Sequence, residues 1–254
     1  MQITFLGTGT SQGIPMIACN CEICQSINPK DKRLRSSVLI NVNQKNIVID
    51  TGPDFRTQML RENVKQLDAI LFTHEHKDHT AGLDDIRAFN YFNKKSIPVY
   101  SSNHAALKIK QDFDYVFNGK KYPGIPEINY IEILNHKFQI LNSIDVVPIE
   151  VMHYKLPVNG YRIDDFTYIT DANYISDSEI EKIKGSKILV LNALRKEKHI
   201  SHFTFNEAIE LALKIGAKKT YLTHISHQLG LHDEVSKELP QNIFLAYDGL
   251  KISI

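Results

Sequence analysis

The amino-acid sequence predicts an α/β fold, and three observations lead to that prediction. Short runs rich in β-branched and aromatic residues are frequent in the first two thirds of the chain. Two later segments combine a capping residue with apolar residues at helical spacing, and each precedes a strand-like run. A length of 254 residues with 43 % hydrophobic content suffices for a sizeable core. Since no repeat or flexible linker interrupts the chain, we expect one domain over residues 1–254 rather than two small ones.

The predicted strands are short and are bounded by turn-forming residues. Asn43-Gln44-Lys45 predicts a hairpin between two of them, and Asp164-Asp165 predicts a tight turn between two others. The strands predicted before the first helical signal are Gln2–Leu6, Ser37–Val42, Asn46–Asp50, Leu67–Phe72, Ile97–Tyr100, Lys137–Leu141, Ile144–Val151, Gly160–Ile163 and Phe166–Thr170.

Both predicted helices begin with a capping box, in which Ser or Thr is followed three residues later by Glu, and both end at a glycine. A strand follows each of them, so this part of the chain alternates helix and strand. The two sets are Ser176, Glu179 and Gly185 before the strand Lys187–Leu191, and Thr204, Glu207 and Gly216 before the strand Thr220–Thr223.

The charge balance argues against a large polyanionic partner. Lysine and arginine exceed aspartate and glutamate by one, so no strong field attracts nucleic acid or anionic lipid. The lysine pairs at 94–95, 120–121 and 218–219 are interpreted as solvated surface. The beginning of the sequence lacks the basic and apolar regions of a secretory signal, and no apolar run is long enough to span a bilayer. We therefore expect a cytoplasmic protein without a membrane partner.

A dense group of metal-ligand side chains follows the apolar strand Leu67–Phe72. His74, His76, Asp78 and His79 form an HxHxDH arrangement within six residues. Imidazole nitrogen and carboxylate oxygen are ligands of borderline divalent metals, and a tight loop after a strand can direct them at two adjacent ions. The alternative is a polar surface loop whose histidines bind nothing, which such a density of histidine and aspartate disfavours.

Two metal ions need more ligands than this loop supplies, and His153, Asp171 and His224 each follow a predicted strand. In this order, the residues resemble those of the metallo-β-lactamase superfamily. The resemblance implies an αββα sandwich, two catalytic divalent ions such as zinc or manganese, and a hydroxide between the ions as the nucleophile. The implied ligands are His74, His76 and His153 for one ion, Asp78, His79 and His224 for the other, and Asp171 as the bridge.

The three cysteines of the chain, Cys19, Cys21 and Cys24, have a CxCxxC spacing. An odd number crowded into six residues is unsuited to a disulfide framework, whereas three thiolates are one ligand short of a tetrahedral zinc site. With His227, this set resembles the PhnP family, the phosphodiesterases of the carbon–phosphorus lyase pathway, which implies one structural zinc. The alternative is three reduced cysteines that act as small apolar residues, and a surface histidine.

Two further residues acquire roles from the resemblance. His202 corresponds to a histidine beside the scissile phosphate, where a protonated imidazole would stabilise the transition state or protonate a leaving oxygen. We therefore group it with Asp78 as catalytic, ahead of the weaker competitor His199; the alternative is an ordinary residue flanking the predicted helix. Asp50 resembles a carboxylate that orients a ligand imidazole, although a plain turn-capping aspartate is the alternative. We interpret His104, His136 and His232 as surface residues, since no partner pattern surrounds them.

These residues together predict a dinuclear metal-dependent phosphodiesterase that hydrolyses a small phosphate ester, cyclic esters included. The alternatives are a nuclease similar to tRNA 3′-processing endonucleases, a thioester or lactone hydrolase on the same fold, and a metal-stabilised interaction protein without catalysis. Nucleic acid is the less favoured partner, because no long Gly/Pro/Lys-rich arm is evident. The sequence is compatible with a homodimer.

Overall fold

The computed structural model describes residues 1–119 and 122–254; the lysine pair at 120–121 lies outside the described residues. Two seven-stranded β-sheets pack against each other, and helices cover the outer face of each sheet. This is the αββα sandwich that the resemblance implied.

The first sheet contains the strands from the beginning of the chain and one strand from its end. In chain order they are β1 (Gln2–Gly7), β2 (Ser37–Val42), β3 (Lys45–Ile49), β4 (Ala69–Leu71), β5 (Ile97–Ser101) and β6 (Ile128–Glu132), with Lys251–Ser253 pairing with β1 at the edge. Strands β1 to β3 are antiparallel, and β3 to β6 are parallel.

The second sheet is formed by strands that are consecutive in the chain. They are β7 (Phe138–Ile140), β8 (Ile144–His153), β9 (Leu156–Ile163), β10 (Phe166–Tyr168), β11 (Ile188–Asn192), β12 (Lys219–Thr223) and β13 (Ile243–Leu245), after which Lys251–Ser253 is β14. Strands β7 to β10 are antiparallel and β10 to β13 are parallel. The parallel ends bring several loops to one edge.

Short helices precede and follow the parallel strands. They are α1 (Glu22–Gln25), α2 (Phe55–Arg61), α3 (Lys77–Thr80), α4 (Arg87–Asn93), α5 (Asn103–Asp112), α6 (Asp114–Phe117), α7 (Asp177–Ile183), α8 (Phe205–Ile215) and α9 (His232–Ser236). Pro29–Asp31 and Leu83–Ile86 form single 3₁₀ turns. In the part of the chain that the structure describes, no helix is both long and apolar enough to cross a membrane.

Three buried apolar clusters hold the layers of the sandwich together. The cluster between the sheets contains the fully buried rings of Phe5, Tyr161, Phe166 and Tyr168. A second cluster packs α7 and α8 on the second sheet, and a third packs α2, α4 and α5 on the first. Because each sheet is apolar on both faces, its strands show no clean alternation of polar and apolar residues.

Local sequence signals are confirmed at several turns and caps. Asn43 and Gln44 have φ angles of 50° and 59°, as a two-residue hairpin between β2 and β3 requires. The capping box of Thr204 and Glu207 is reciprocal, and α8 ends at Gly216 with φ of 70°.

The capping box predicted at α7 is only half formed. The Ser176 side chain accepts a hydrogen bond from the Glu179 backbone N–H, as expected. The Glu179 carboxylate instead accepts the backbone N–H of Glu150 on β8 at 2.9 Å. The backbone N–H of a neighbouring strand therefore replaces the backbone N–H of Ser176, which a complete capping box would use. Helices α2, α4 and α5 were absent from the strand-dominated prediction because their short apolar stripes give weak periodicity.

Candidate metal centre

The predicted metal ligands lie at one edge of the sandwich, where strands of both sheets end. Asp50 follows β3, Asp171 comes three residues after β10, and His224 follows β12. All three have left-handed backbone conformations, with φ of 65°, 53° and 56°. This conformation is uncommon for residues other than glycine and turns the chain sharply at each strand end. The turns direct the three side chains inward.

A close backbone approach holds the loop that carries the HxHxDH arrangement. The backbone N–H of Thr51 donates to the His79 carbonyl oxygen at 2.8 Å. A Cβ atom on Gly52 would lie 2.1 Å from the Asp78 carbonyl oxygen, closer than any real contact. Glycine at position 52 therefore allows the loops after β3 and β4 to pack together. This contact fixes the backbone positions of Asp78 and His79.

Three histidine rings meet on one side of the edge. His74 Nε2 lies 2.9 Å from His76 Nδ1, and the His76 ring centroid is 5.3 Å from that of His153. The His153 Nδ1 faces the carbonyl oxygen of Ser201 at 2.8 Å. Since only a protonated Nδ1 can donate to that oxygen, the unprotonated Nε2 is the nitrogen of His153 that could bind a metal ion.

Asp78, His79, Asp171 and His224 form the second group, in which one ligand atom from each residue lies within 4.8 Å of the others. His79 Nε2 is 3.1 Å from Asp78 Oδ2 and 3.2 Å from Asp171 Oδ2, and His224 Nδ1 is also 3.2 Å from Asp171 Oδ2. Two ligands at about 2.0–2.1 Å from one ion are separated by roughly 3.3 Å. The spacing therefore fits a shared divalent ion.

A buried nitrogen gives a second test of that fit. Within residues 1–119 and 122–254, no hydrogen-bond partner is aligned with His79 Nε2, although the atom is buried. A buried polar atom without a partner is costly unless something compensates it. A metal ion at this nitrogen would supply the compensation, so the residues fit a metal centre.

Asp50 determines which nitrogen of His79 is available. Its carboxylate lies 2.7 Å from His79 Nδ1 and accepts the backbone N–H of Thr73 at 2.9 Å and the Thr73 hydroxyl at 2.8 Å. All three residues are buried. Three donors therefore hold the carboxylate, and the carboxylate holds the imidazole with Nε2 directed at Asp78 and Asp171.

The electrostatics of the cluster favour anionic carboxylates. Burial raises the pKa of Asp171, but the charges of His224 and His79 outweigh it and hold this pKa well below its usual range. Burial likewise opposes protonation of His79, but Asp78, Asp171 and Asp50 raise its pKa well above the usual value. Burial lowers the pKa of His74. The site therefore concentrates negative charge where a cation would bind.

His202 lies beside these ligands. Its ring centroid is 4.6 Å from His153 and 4.9 Å from His224, and its Nδ1 is 3.9 Å from Asp171 Oδ1. His199 lies farther out, 5.1 Å from the His202 ring. Burial lowers the pKa of His202 to about 3. Burial therefore disfavours the protonated form that the sequence predicts for this ring.

The three cysteines and His227 form a separate cluster. Their ligand atoms lie within 4.8 Å of one another, and His227 Nδ1 is 3.2 Å from Cys21 Sγ and 3.4 Å from Cys19 Sγ. In a tetrahedral zinc site, the Zn–S distance is about 2.3 Å and the Zn–N distance is about 2.0 Å. These bond lengths place sulfur and nitrogen roughly 3.5 Å apart, close to the two distances observed here. The hydrogen bond from His227 lowers the pKa of Cys21 to about 6, whereas burial raises that of Cys24 to about 11. The donor set fits zinc.

One segment connects the two clusters. His224 and His227 are three residues apart, and between them the Ile225 backbone N–H donates to Thr8 at 2.9 Å and its carbonyl oxygen accepts from Thr10 at 3.0 Å. Thr10 Oγ1 also lies 3.1 Å from His224 Nε2. The loop after β1 therefore supports the segment that serves both sites.

The interpretation of His232 as a surface residue is wrong. Its side chain is buried, its Nδ1 lies 3.0 Å from the Arg33 guanidinium, and its backbone N–H donates to Asp31 at 2.7 Å. Both partners come from more than 190 positions away in the chain, so no local pattern indicates them. His136 is exposed, and the exposed His104 pairs with Glu75 at 3.1 Å.

Sequence comparisons give relatives of several activities. The family model described as the β-lactamase superfamily domain matches residues 45–225. The octanoyltransferase of Porphyromonas gingivalis is 39 % identical over 100 % of this chain and 52 % of that protein, so the chain spans about half the length of this curated relative. The ribonuclease Z of Phocaeicola vulgatus is 25 % identical over 91 % of this chain and 95 % of that protein.

Solved structures extend the comparison. The crystal structure of a diphosphatase from the PhnP family has a TM-score of 0.93 and 38 % identity, covering 100 % of this chain and 97 % of that chain. Zinc-bound PqqB from Methylobacterium extorquens has a TM-score of 0.78 at 18 % identity, with full coverage of both chains. The short form of human tRNase Z has a TM-score of 0.73 at 19 % identity, covering 100 % and 99 %. At such identities, the last two show the fold alone.

Proposed function

The chain belongs to the metallo-β-lactamase superfamily and is a metal-dependent hydrolase, and from this premise we propose that it hydrolyses phosphodiester or diphosphate bonds in small molecules. The observation that carries the proposal is the 38 % identity, across 97 % of its length, to a diphosphatase of the PhnP family. A phosphodiester and a disubstituted diphosphate present the same kind of reacting centre, a phosphorus atom with two substituents. The proposal treats residues 1–254 as one hydrolase domain.

We assign the catalytic ions to the two groups of side chains at the sandwich edge. Zinc or manganese is the proposed metal, since mixed imidazole and carboxylate sites accept both. Two divalent ions lower the pKa of bound water and stabilise charge on the attacking and leaving oxygens. Residues His74, His76 and His153 would hold one ion, Asp78, His79 and His224 the other, and Asp171 both. The cysteine cluster would hold a structural zinc.

His202 is the proposed catalytic side chain besides the ligands. It lies next to His153, Asp171 and His224, and its Nδ1 is buried without a partner among the residues that the structure describes. A neutral imidazole still donates one N–H, which is suited to a phosphate oxygen. The ring would therefore contact the phosphate group at the metal centre and stabilise its developing charge.

The test is hydrolysis of bis(p-nitrophenyl) phosphate by protein reconstituted separately with zinc, manganese, nickel and cobalt. We expect turnover with at least one metal and a loss of about 100-fold or more in kcat for His202→Ala at unchanged metal content. The matched control is His136→Ala, which removes an exposed histidine that belongs to none of the candidate ligand groups. Absence of turnover with every metal contradicts the proposed function, and full activity of His202→Ala contradicts the role of that residue.

Processing of tRNA 3′ ends is the second proposal, supported by the coverage of 91 % of this chain by a ribonuclease Z. The net charge of +1 disfavours it, because a protein that neutralises many phosphates normally presents a basic surface. Cleavage of a tRNA precursor with a steep salt dependence, at a higher kcat/KM than any small phosphodiester, would replace the first proposal by this one.

The octanoyltransferase relative motivates a third candidate reaction, hydrolysis of an acyl ester or thioester, which can be assayed with the same metal-reconstituted protein. That protein is about twice as long as the matched region. Its name therefore does not say whether acyl transfer takes place in the half that matches this chain. An octanoyl thioester and a lactone therefore belong among the substrates, since fold and metals do not choose the substrate. Hydrolysis of the thioester without phosphodiester turnover would favour acyl chemistry.

A further inference from the structure

The loop after β1 lies between Arg35 and the segment that carries the candidate ligand His224. Gly9 forms parallel bridges with Arg35 on one side and with Ile225 on the other. Adjacent extended chains are about 5 Å apart, so the backbone at Arg35 lies about 10 Å from the segment that begins with His224. An arginine side chain can span much of that distance. The ideal Cβ of Gly52 illustrates the proximity, since it would lie 3.4 Å from the Arg35 Cβ and 2.1 Å from the Asp78 carbonyl oxygen.

The Arg35 guanidinium is held in place by two contacts. Its Nη1 lies 3.2 Å from both carboxylate oxygens of Asp54, and its Nε donates to the Ser11 carbonyl oxygen at 3.1 Å. Asp54 also accepts the Arg35 backbone N–H at 2.8 Å. For the ranges 1–119 and 122–254, the structure shows no hydrogen bond to Nη2, and 29 % of the side chain is exposed. A fixed cation with a free donor edge therefore faces solvent.

The neighbouring loop offers more donors on the same side. Ser11 and Gln12 are exposed, and Gly13, with φ of 63°, donates its backbone N–H to Thr10 and closes a tight turn. The backbone N–H groups of Ser11 and Gln12 have no partner in the described part of the chain. Successive free N–H groups in a turn, next to a guanidinium, form an environment that suits an anion.

We propose that Arg35 and the turn Thr10–Gly13 bind the second phosphate group of a disubstituted diphosphate substrate, while the first phosphate occupies the metal centre. This inference rests on the proposed function and deepens it. The two phosphates share one bridging oxygen, so the second must lie next to the centre. Thr10, at the start of the turn, contacts the candidate ligand His224, with Oγ1 3.1 Å from Nε2. Guanidinium matches phosphate geometry better than a point charge does.

The charges around the subsite are compatible with an anion. Asp54 and Arg35 form an ion pair without net charge, so the anion would be held by the free Nη2 group and the backbone N–H groups of the turn. Asp78 belongs to the candidate ligand group. In the reaction, water adds to the first phosphorus and the bond from that phosphorus to the bridging oxygen breaks. The bridging oxygen leaves with the second phosphate and takes up the proton that the attacking water loses. The products are two phosphate monoesters, and no other reactant is required.

The test compares two substrates in Arg35→Gln, with Arg56→Gln as the matched control. P1,P2-di(adenosine-5′) diphosphate has the second phosphate, whereas bis(p-nitrophenyl) phosphate lacks it. Arg56 is exposed on the adjacent helix α2, so its substitution removes the same charge outside the subsite. We expect Arg35→Gln to lower kcat/KM for the diphosphate by about 10- to 100-fold, mainly through KM, and to leave bis(p-nitrophenyl) phosphate within about twofold.

The outcomes separate this inference from the proposed function. Equal losses on both substrates, or no loss on either, overturn the subsite. Turnover of bis(p-nitrophenyl) phosphate without turnover of the diphosphate by the unsubstituted protein also overturns it and leaves the proposed function standing. If neither substrate reacts with any metal, both proposals fail. Should Arg35→Gln not fold, Gln12→Glu places a negative charge on the exposed turn and must raise KM for the diphosphate alone.

Discussion

Replacement of Asp50 by asparagine tests whether this carboxylate orients a metal ligand or merely caps a turn. Asparagine tolerates the left-handed backbone that Asp50 adopts at φ of 65°, so the substitution leaves the turn intact. The carboxylate accepts three hydrogen bonds, from His79 Nδ1 and from the N–H and hydroxyl of Thr73. An amide has one acceptor oxygen, so at least one buried donor faces an NH₂ group instead.

The expected magnitudes follow from these contacts. Loss of a carboxylate behind a ligating histidine lowers metal affinity by about 10- to 100-fold. One unsatisfied buried donor lowers the free energy of unfolding by about 1–3 kcal/mol. Metal affinity is measured by competition with a chelator of known affinity, and the free energy of unfolding is measured by urea denaturation of the metal-depleted protein.

The matched control is Asp68→Asn. Asp68 is also buried and accepts hydrogen bonds from the Asn46 backbone and Lys95, both at 3.0 Å, but it precedes β4 at the opposite end from the metal ligands. We expect the control to lower stability without changing metal affinity. If Asp50→Asn binds metal as tightly as the unsubstituted protein and resembles Asp68→Asn in stability, the orienting role is refuted.

Two further predictions concern the remaining clusters. Cys21→Ser should reduce the bound metal by one equivalent per chain and lower the melting temperature, because one of four ligands is lost; elemental analysis that still finds the full metal content contradicts a zinc site there. Burial lowers the pKa of His232 from 6.5 to about 4, so the folded protein binds fewer protons than the unfolded chain within that window. Between pH 6.5 and 4 the free energy of unfolding should therefore fall by about 2 kcal/mol more than it does in His232→Gln, because the carboxyl groups that titrate in the same window are common to both proteins. Urea denaturation of the two proteins at both pH values measures this difference.

Much of the secondary structure was predictable because its signals are local. The strand Ser37–Val42 has the predicted bounds, and the box of Thr204 and Glu207 forms as expected. Strand β9 begins at Leu156 rather than at Gly160, because pairing with β8 extends it through residues of weak β propensity. The Glu179 carboxylate departs from its predicted cap because β8 supplies a competing N–H.

Ligand chemistry and short spacing are local properties, so the candidate metal-binding residues are predictable from the amino-acid sequence. The ligand residues of the HxHxDH and CxCxxC motifs are separated by at most two residues, so a compact loop brings their side chains close together. The sequence also predicts that His153, Asp171 and His224 lie at strand ends. The fold brings them to one edge because β8, β10 and β12 run in the same direction.

The surroundings of these groups depend on tertiary contacts. The burial of His232 by Arg33 and Asp31, the carbonyl of Ser201 behind His153, and the position of Arg35 beside the turn at Ser11 all join residues distant in the chain. Their contacts depend on how the two sheets and their loops pack, and a one-dimensional pattern contains no information on that packing. The identities of the candidate ligands are therefore predictable from local patterns, whereas their orientation and the candidate substrate contact are properties of the fold.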